Sequence, residues 1–95
     1  MSLPALPSER VVAVIGAGAM GSGIAQVAAA AGHPVRLLDA RAGAALKAIE
    51  GIRAQFAKLA DKGRMSAESA AAAGARLSAA DTLSELADAA LVVEA

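Results

Sequence analysis

Three glycines and one aspartate carry the clearest chemistry in this chain. Gly16-Ala17-Gly18-Ala19-Met20-Gly21 has the G-x-G-x-x-G spacing, directly after the apolar run Val11-Val12-Ala13-Val14-Ile15 and at the start of a segment of small residues. Each glycine has a task in a phosphate-binding turn. Gly16 permits a tight turn out of a strand, Gly18 lets the backbone approach a pyrophosphate, and Gly21 lets the next helix pack closely on the strand. The loop is neutral and no P-loop lysine follows it, so the anion would be held by the unpaired N–H groups and the dipole of a helix N-terminus. Asp39 stands 18 residues beyond Gly21, the spacing of an acidic residue that accepts hydrogen bonds from the adenosine ribose. Gly16, Ala17, Gly18, Ala19, Met20, Gly21 and Asp39 are therefore the expected cofactor-binding set. A carboxylate at Asp39 repels a 2′-phosphate, which favours NAD over NADP. Arg41 tempers that preference, because an arginine can receive such a phosphate. On these residues alone FAD, which uses a related loop, stays open. So does a pure packing role for the glycines, with Asp39 an ordinary turn residue.

These residues need a strand, a helix and a second strand to position them. Val11 to Ile15 is a short continuous β-branched run, the pattern of a central parallel strand covered on both faces. Gly18 to Ala31 reads as a helix closed by Gly32, and Pro34 to Leu38 as a second strand ending on Asp39. Together they make one βαβ unit with a right-handed crossover. A longer helix is predicted from Ala44 to Lys62, with Leu46, Ile49, Ile52, Phe56 and Leu59 facing inward and Lys47, Glu50, Lys58 and Asp61 outward. After the turn Lys62-Gly63-Arg64, Ser66 is the predicted N-cap of a helix ending near Gly74, giving a helical hairpin. Arg76 to Ala80 is a short strand, Thr82-Leu83-Ser84-Glu85 a capping box before a brief helix, and Leu91-Val92-Val93 a further parallel strand. The fold class is α/β: the first part of a Rossmann-type, doubly wound parallel sheet, with an inserted helical hairpin. Residues 1–10 are expected to be a flexible leader, and residues 11–95 the N-terminal part of a longer domain.

Composition narrows the chemistry further. Of 95 residues 29 are alanine, and Phe56 is the only aromatic. Alanine favours helix and buries little area, which suggests close-packed helices against a small sheet. Nine basic and nine acidic residues balance, so the chain has no electrostatic footprint of a nucleic-acid binder. Without cysteine, and with His33 as the single histidine, neither a thiolate nor a His-rich metal site is available, and no metal-binding residue is assigned. The 22 residues from Val11 to Gly32 are uncharged, but five glycines interrupt them and the preceding residues lack a basic n-region. A membrane role is not expected.

The longer string Gly16-Ala17-Gly18-Ala19-Met20-Gly21-Ser22-Gly23-Ile24-Ala25-Gln26 resembles the 3-hydroxyacyl-CoA dehydrogenase family. The resemblance continues through Gly32-His33-Pro34-Val35, Asp39, the Lys58–Gly63 region and Leu91-Val92-Val93-Glu94-Ala95. The pattern is nearest to the bacterial 3-hydroxybutyryl-CoA and 3-hydroxyadipyl-CoA type. The resemblance implies NAD as cofactor and an acyl-CoA substrate whose 3-hydroxyl is oxidised to a ketone, in fatty-acid or phenylacetate-type catabolism. It also implies a cytoplasmic protein that dimerises through a C-terminal helical domain. The family's catalytic histidine, glutamate, serine and asparagine would all lie beyond Ala95, so no residue here is assigned as catalytic. His33 does not correspond to that histidine.

The same resemblance implies that the hairpin meets coenzyme A, with Lys62 aligned to a lysine used there. Gln55 stands where the family has a serine, and the bland alternative for Gln55, Lys58, Lys62 and Arg64 is a solvated basic face. A further departure is Ala90, where relatives carry an aspartate, with Asp88 two residues earlier. Two other readings remain: a dehydrogenase of the same wider group acting on a non-CoA hydroxy acid, and a non-catalytic NAD-binding relative. The 95-residue chain by itself is expected to be inactive. Turnover of acetoacetyl-CoA with NADH by the purified chain would overturn that expectation.

Overall fold

The β-branched run after Arg10 becomes the inner strand of a parallel sheet. The computed structural model describes residues 9–95, so the expected leader falls, except for Glu9 and Arg10, outside the described residues. Strand β1 (Val12–Ile15) leads into helix α1 (Ala19–Ala30) and strand β2 (Val35–Leu38). Helix α2 (Ala44–Asp61) and helix α3 (Ala67–Ala75) follow, then strands β3 (Leu77–Ala79) and β4 (Leu91–Glu94), separated by a 3-10 turn over Leu83–Leu86. The sheet order is β3-β2-β1-β4 with all pairs parallel, Val12 lying between Val35 and Leu91.

Period-2 alternation sorts the strand residues between two cores. Val12, Val14, Val35, Leu37 and Leu77 face α1, α2 and α3, and pack with Ile24, Ala28, Ile49, Ile52 and Phe56. Ala13, Ile15 and Leu38 face the other way and meet Ala80, Leu86 and Ala89 beside the 3-10 turn. This division follows from handedness. Right-handed crossovers from β1 to β2 and from β2 to β3 step in one direction and place their helices on one face. The return to β4, on the far side of β1, must cross the opposite face. Val12, Ala13 and Val14 are fully buried as a result. No helix among the described residues is long and apolar enough to cross a membrane.

Two sequence expectations change. Leu46 is 60% exposed, and Ala45 takes its place in the buried stripe with Ile49, Ile52 and Phe56. Those positions are four, three and four residues apart, and Leu46 lies about 100° around the helix from Ala45. The capping box at Thr82 does not form. The segment winds as a tighter 3-10 turn, so the Glu85 carboxylate accepts from the N–H of Asp81 at 2.6 Å, and Thr82 Oγ1 pairs with Ser84 Oγ. The cap at Ser66 does form, its Oγ accepting from the N–H of Ser69 at 3.0 Å.

Arginines add side-chain hydrogen bonds to carbonyls at segment ends. Arg53 on α2 donates to the carbonyls of Gly74 and Leu77, at 3.0 and 3.1 Å, closing α3. Arg76 donates to Ala29 O at the end of α1, at 2.9 Å. Arg36 on β2 donates to Glu85 O at 2.7 Å and pairs with the Asp88 carboxylate, holding the 3-10 turn to the sheet. Asp88 thus fastens the junction before β4. Phe56 is the largest fully buried side chain in this alanine-rich core. Phe56→Ala is expected to cost about 3–5 kcal/mol, read by urea unfolding as a lower midpoint at an unchanged slope.

Candidate dinucleotide site at the glycine loop

Strand β1 ends in a turn that only glycine accommodates. Gly16 has φ +107°, and a Cβ there would stand 2.9 Å from Ala95 O at the end of β4. Gly21 lies in the first turn of α1, where a Cβ would fall 1.7 Å from the Gly16 carbonyl oxygen. Helix and turn are in direct backbone contact, so Gly21 packs on the turn itself as well as on Val14. Gly18 is the N-cap of α1 and differs from both: a Cβ there meets nothing within 4 Å. Its place is required by no neighbour in the protein, and the space above it is open.

The N-terminus of α1 has no side-chain cap and no acidic residue in its first turn. The first N–H groups of a helix lack intrahelical partners, and together with the dipole they favour an anion. Hydrogen bonds fasten the loop beneath them. Gly16 N–H donates to Leu38 O at 2.7 Å, Ala17 N–H to Asp39 Oδ2 at 2.7 Å, and Ser22 Oγ to Ala17 O at 3.2 Å. Asp39 therefore fixes the loop to the end of β2, a link that spacing alone does not disclose. Its carboxylate also accepts from Arg41 N–H, Nε and Nη2 at 2.8–2.9 Å. The Arg41 side chain first, then the N–H groups of Arg41 and Ala17, hold the Asp39 carboxyl well below the usual carboxylate range. Beside it lies a groove of about 240 Å³ lined by Asp39, Arg41, Leu46, Ala79 and Asp81 among others. Leu46, turned away from the core, is its apolar wall.

The glycine loop and Asp39 thus come together at the carboxyl ends of β1 and β2, Ala19 and Met20 exposed on the loop's rim. The remaining sequence candidates lie elsewhere. Gln55 lines a groove of about 350 Å³ between α1 and α2 with Ser22 and Gln26. Lys62 is the C-cap of α2, about 27 Å along that helix from its start at 1.5 Å per residue. A groove of about 480 Å³ between α2 and α3, lined mostly by alanine, includes no loop residue. His33 is 5% exposed, with Nδ1 3.1 Å from Arg10 O. It precedes β2 and is separated from the loop by the length of the strands, on the order of 13 Å. Among the described residues, no three His, Cys, Asp or Glu side chains are grouped to hold a metal ion.

The strand order reverses between β1 and β4, and the loop stands at the carboxyl end of that switch point, where doubly wound sheets bind their ligands. Fold and loop define a Rossmann-type dinucleotide-binding domain. Residues 11–95 match the family described as 3-hydroxyacyl-CoA dehydrogenase, NAD binding domain. The chain belongs to this 3-hydroxyacyl-CoA dehydrogenase family, with NAD as its cofactor, which decides between NAD and FAD. It is 44% identical over 86 residues to the 3-hydroxyadipyl-CoA dehydrogenase of Escherichia coli K12, covering 90% of this chain and 18% of that protein. It is 40% identical to a probable 3-hydroxybutyryl-CoA dehydrogenase of Bacillus subtilis, covering 88% of this chain and 29% of the relative. The crystal structure of 3-hydroxybutyryl-CoA dehydrogenase from Escherichia coli K12 superposes with a TM-score of 0.86 at 43% identity, covering 90% of this chain and 18% of that one. The chain therefore spans less than a third of the length of these relatives.

The two helix-start glycines separate in a stability measurement. Gly21→Ala is expected to destabilise the domain by more than about 2 kcal/mol, because helix and turn must part. Gly18→Ala, into open space, is expected to stay within about 1 kcal/mol of the parent. Urea unfolding of the two variants checks this, and equal losses would refute it.

Proposed function

We propose that Gly16, Ala17, Gly18, Ala19, Met20 and Gly21 hold the NAD pyrophosphate, that Asp39 holds the adenosine ribose, and that the protein carrying this chain oxidises the 3-hydroxyl of an acyl-CoA. The observation that carries the reading is the open backbone at Gly18. An uncapped helix N-terminus faces free space there, at the switch point of a chain whose family binds NAD. NAD, when bound, supplies the hydride acceptor. The residues here bind and orient it: the N–H groups of the first α1 turn offset the pyrophosphate charge, and the Asp39 carboxylate, ionised at any ordinary pH, accepts from ribose hydroxyls. No residue of this chain is given the base role. His33 is buried at the opposite end of the strands and is not proposed as the proton acceptor.

Lys62, with Gln55 and Lys58, is the proposed contact to coenzyme A phosphates. Lys62 is exposed at a helix C-terminus, where a cation is favoured by the dipole. Its distance along α2 from the Asp39 groove suits a second ligand rather than a second hold on the same one. This reading takes the full-length protein as a cytoplasmic homodimer using a short-chain 3-hydroxyacyl-CoA.

In the full-length protein, NADH is expected to be preferred over NADPH in kcat/KM, and Asp39→Ala to reduce that preference. Lys62→Ala is expected to raise the acyl-CoA KM and leave NADH affinity unchanged. Equal kcat/KM for the two cofactors in the parent enzyme would sink the Asp39 assignment. Activity on a free 3-hydroxy acid equal to that on its thioester would favour the non-CoA alternative.

A further inference from the structure

Asp39 has no acceptor position to spare. A carboxylate offers about four lone-pair sites, and four hydrogen bonds occupy them. Ala17 N–H and Arg41 Nη2 donate to Oδ2, and Arg41 N–H and Nε to Oδ1. Two of these donors are backbone groups of the loop and of the turn after β2, and neither leaves without unmaking the turn. The other two belong to the Arg41 side chain. The Asp39 side chain is 7% exposed and that of Arg41 is 70% exposed, so the guanidinium lies on the solvent side of the carboxylate it holds.

We infer that Arg41 is a specificity-determining residue at the adenosine end: its guanidinium fills the carboxylate positions a ribose diol needs, and once displaced it can receive a 2′-phosphate. The inference rests on the reading of Asp39 as the ribose acceptor. Only the Arg41 end of the pair is exposed, so the guanidinium can pass into water while Asp39 needs a replacement donor, which ribose hydroxyls supply, and the groove beside Asp39 gives the released side chain somewhere to go. Arg41 is the one cationic residue among those lining that groove. A 2′-phosphate entering there would otherwise face Asp39 and Asp81, and the Arg41 fork is the group that could pair it bidentately. Asp39 and Arg41 then set cofactor choice in opposition. The carboxylate selects the diol, and the arginine both competes with it and admits the phosphate.

Fluorescence titration of the full-length protein with NADH and with NADPH tests this. Arg41→Ala is expected to bind NADH about two- to fivefold more tightly, as the competitor is gone. It should bind NADPH about tenfold more weakly, as the charge-assisted contact is gone. Arg41→Lys, which keeps the charge but not the fork, is expected to bind NADPH more weakly than the parent and more tightly than Arg41→Ala. A ratio of NADH to NADPH affinity unchanged in Arg41→Ala would overturn the inference, and so would equal weakening of both cofactors, the mark of a merely structural residue. Asp39→Asn separates the two levels. If it weakens NADH while Arg41→Ala changes nothing, the role of Arg41 alone fails. If it leaves NADH binding untouched, the ribose reading fails and the inference falls with it.

Discussion

Helix α1 starts against the carbonyl oxygen of Gly16, in a space no side chain could share: a Cβ on Gly21 would lie 1.7 Å from that atom. Much of the architecture depends on this contact. It brings the helix N-terminus directly over the end of β1, so the helix dipole and the switch point of the sheet coincide. The turn it defines sends the Gly16 and Ala17 N–H groups to Leu38 and Asp39, which fastens β2 to the same point. The close approach continues along α1, where Ala25, Ala28 and Ala29 are fully buried. An alanine-rich helix lies near its sheet because nothing larger separates them.

Closeness has a cost in buried area, since alanine contributes little. Two features offset it. Ile49, Ile52 and Phe56 from α2 supply volume that α1 lacks. Arg36, Arg53 and Arg76 reach across sequence gaps to the carbonyls of Glu85, Gly74, Leu77 and Ala29. These carbonyls stand where chain segments end, and Ala29 O and Gly74 O accept a backbone N–H as well. Gly74 belongs to the same device: a Cβ there would stand 3.2 Å from Arg53 Cγ.

The cofactor end and the hairpin end of the molecule are chemically separate. One offers helix N–H groups, which favour an anion, and a carboxylate held by Arg41. The other offers exposed lysines at a helix C-terminus. The proposed activity would use both kinds of contact, because NAD and an acyl-CoA each carry an adenosine phosphate end.

The elements were legible in the sequence because each has a local period or a local stop. The β-branched runs, the three- and four-residue steps of Ile49, Ile52 and Phe56, the cap at Ser66 and the glycine turns depend on neighbours a few residues away. The glycine string and its spacing to Asp39 determined the class of ligand for the same reason. Local pattern failed at Leu46, where Ala45 proved the better fit to the buried stripe, and at Thr82, where the brief helix begins as expected but winds as a 3-10 turn without the capping-box hydrogen bonds. Only the tertiary structure decided that Asp39 pins the loop and is clamped by Arg41, that three arginines close distant carbonyls, and that His33 is buried far from the loop. Those outcomes depend on contacts between residues far apart in the chain, as with Ala17 to Asp39 and Arg53 to Gly74, and such contacts have no period to read.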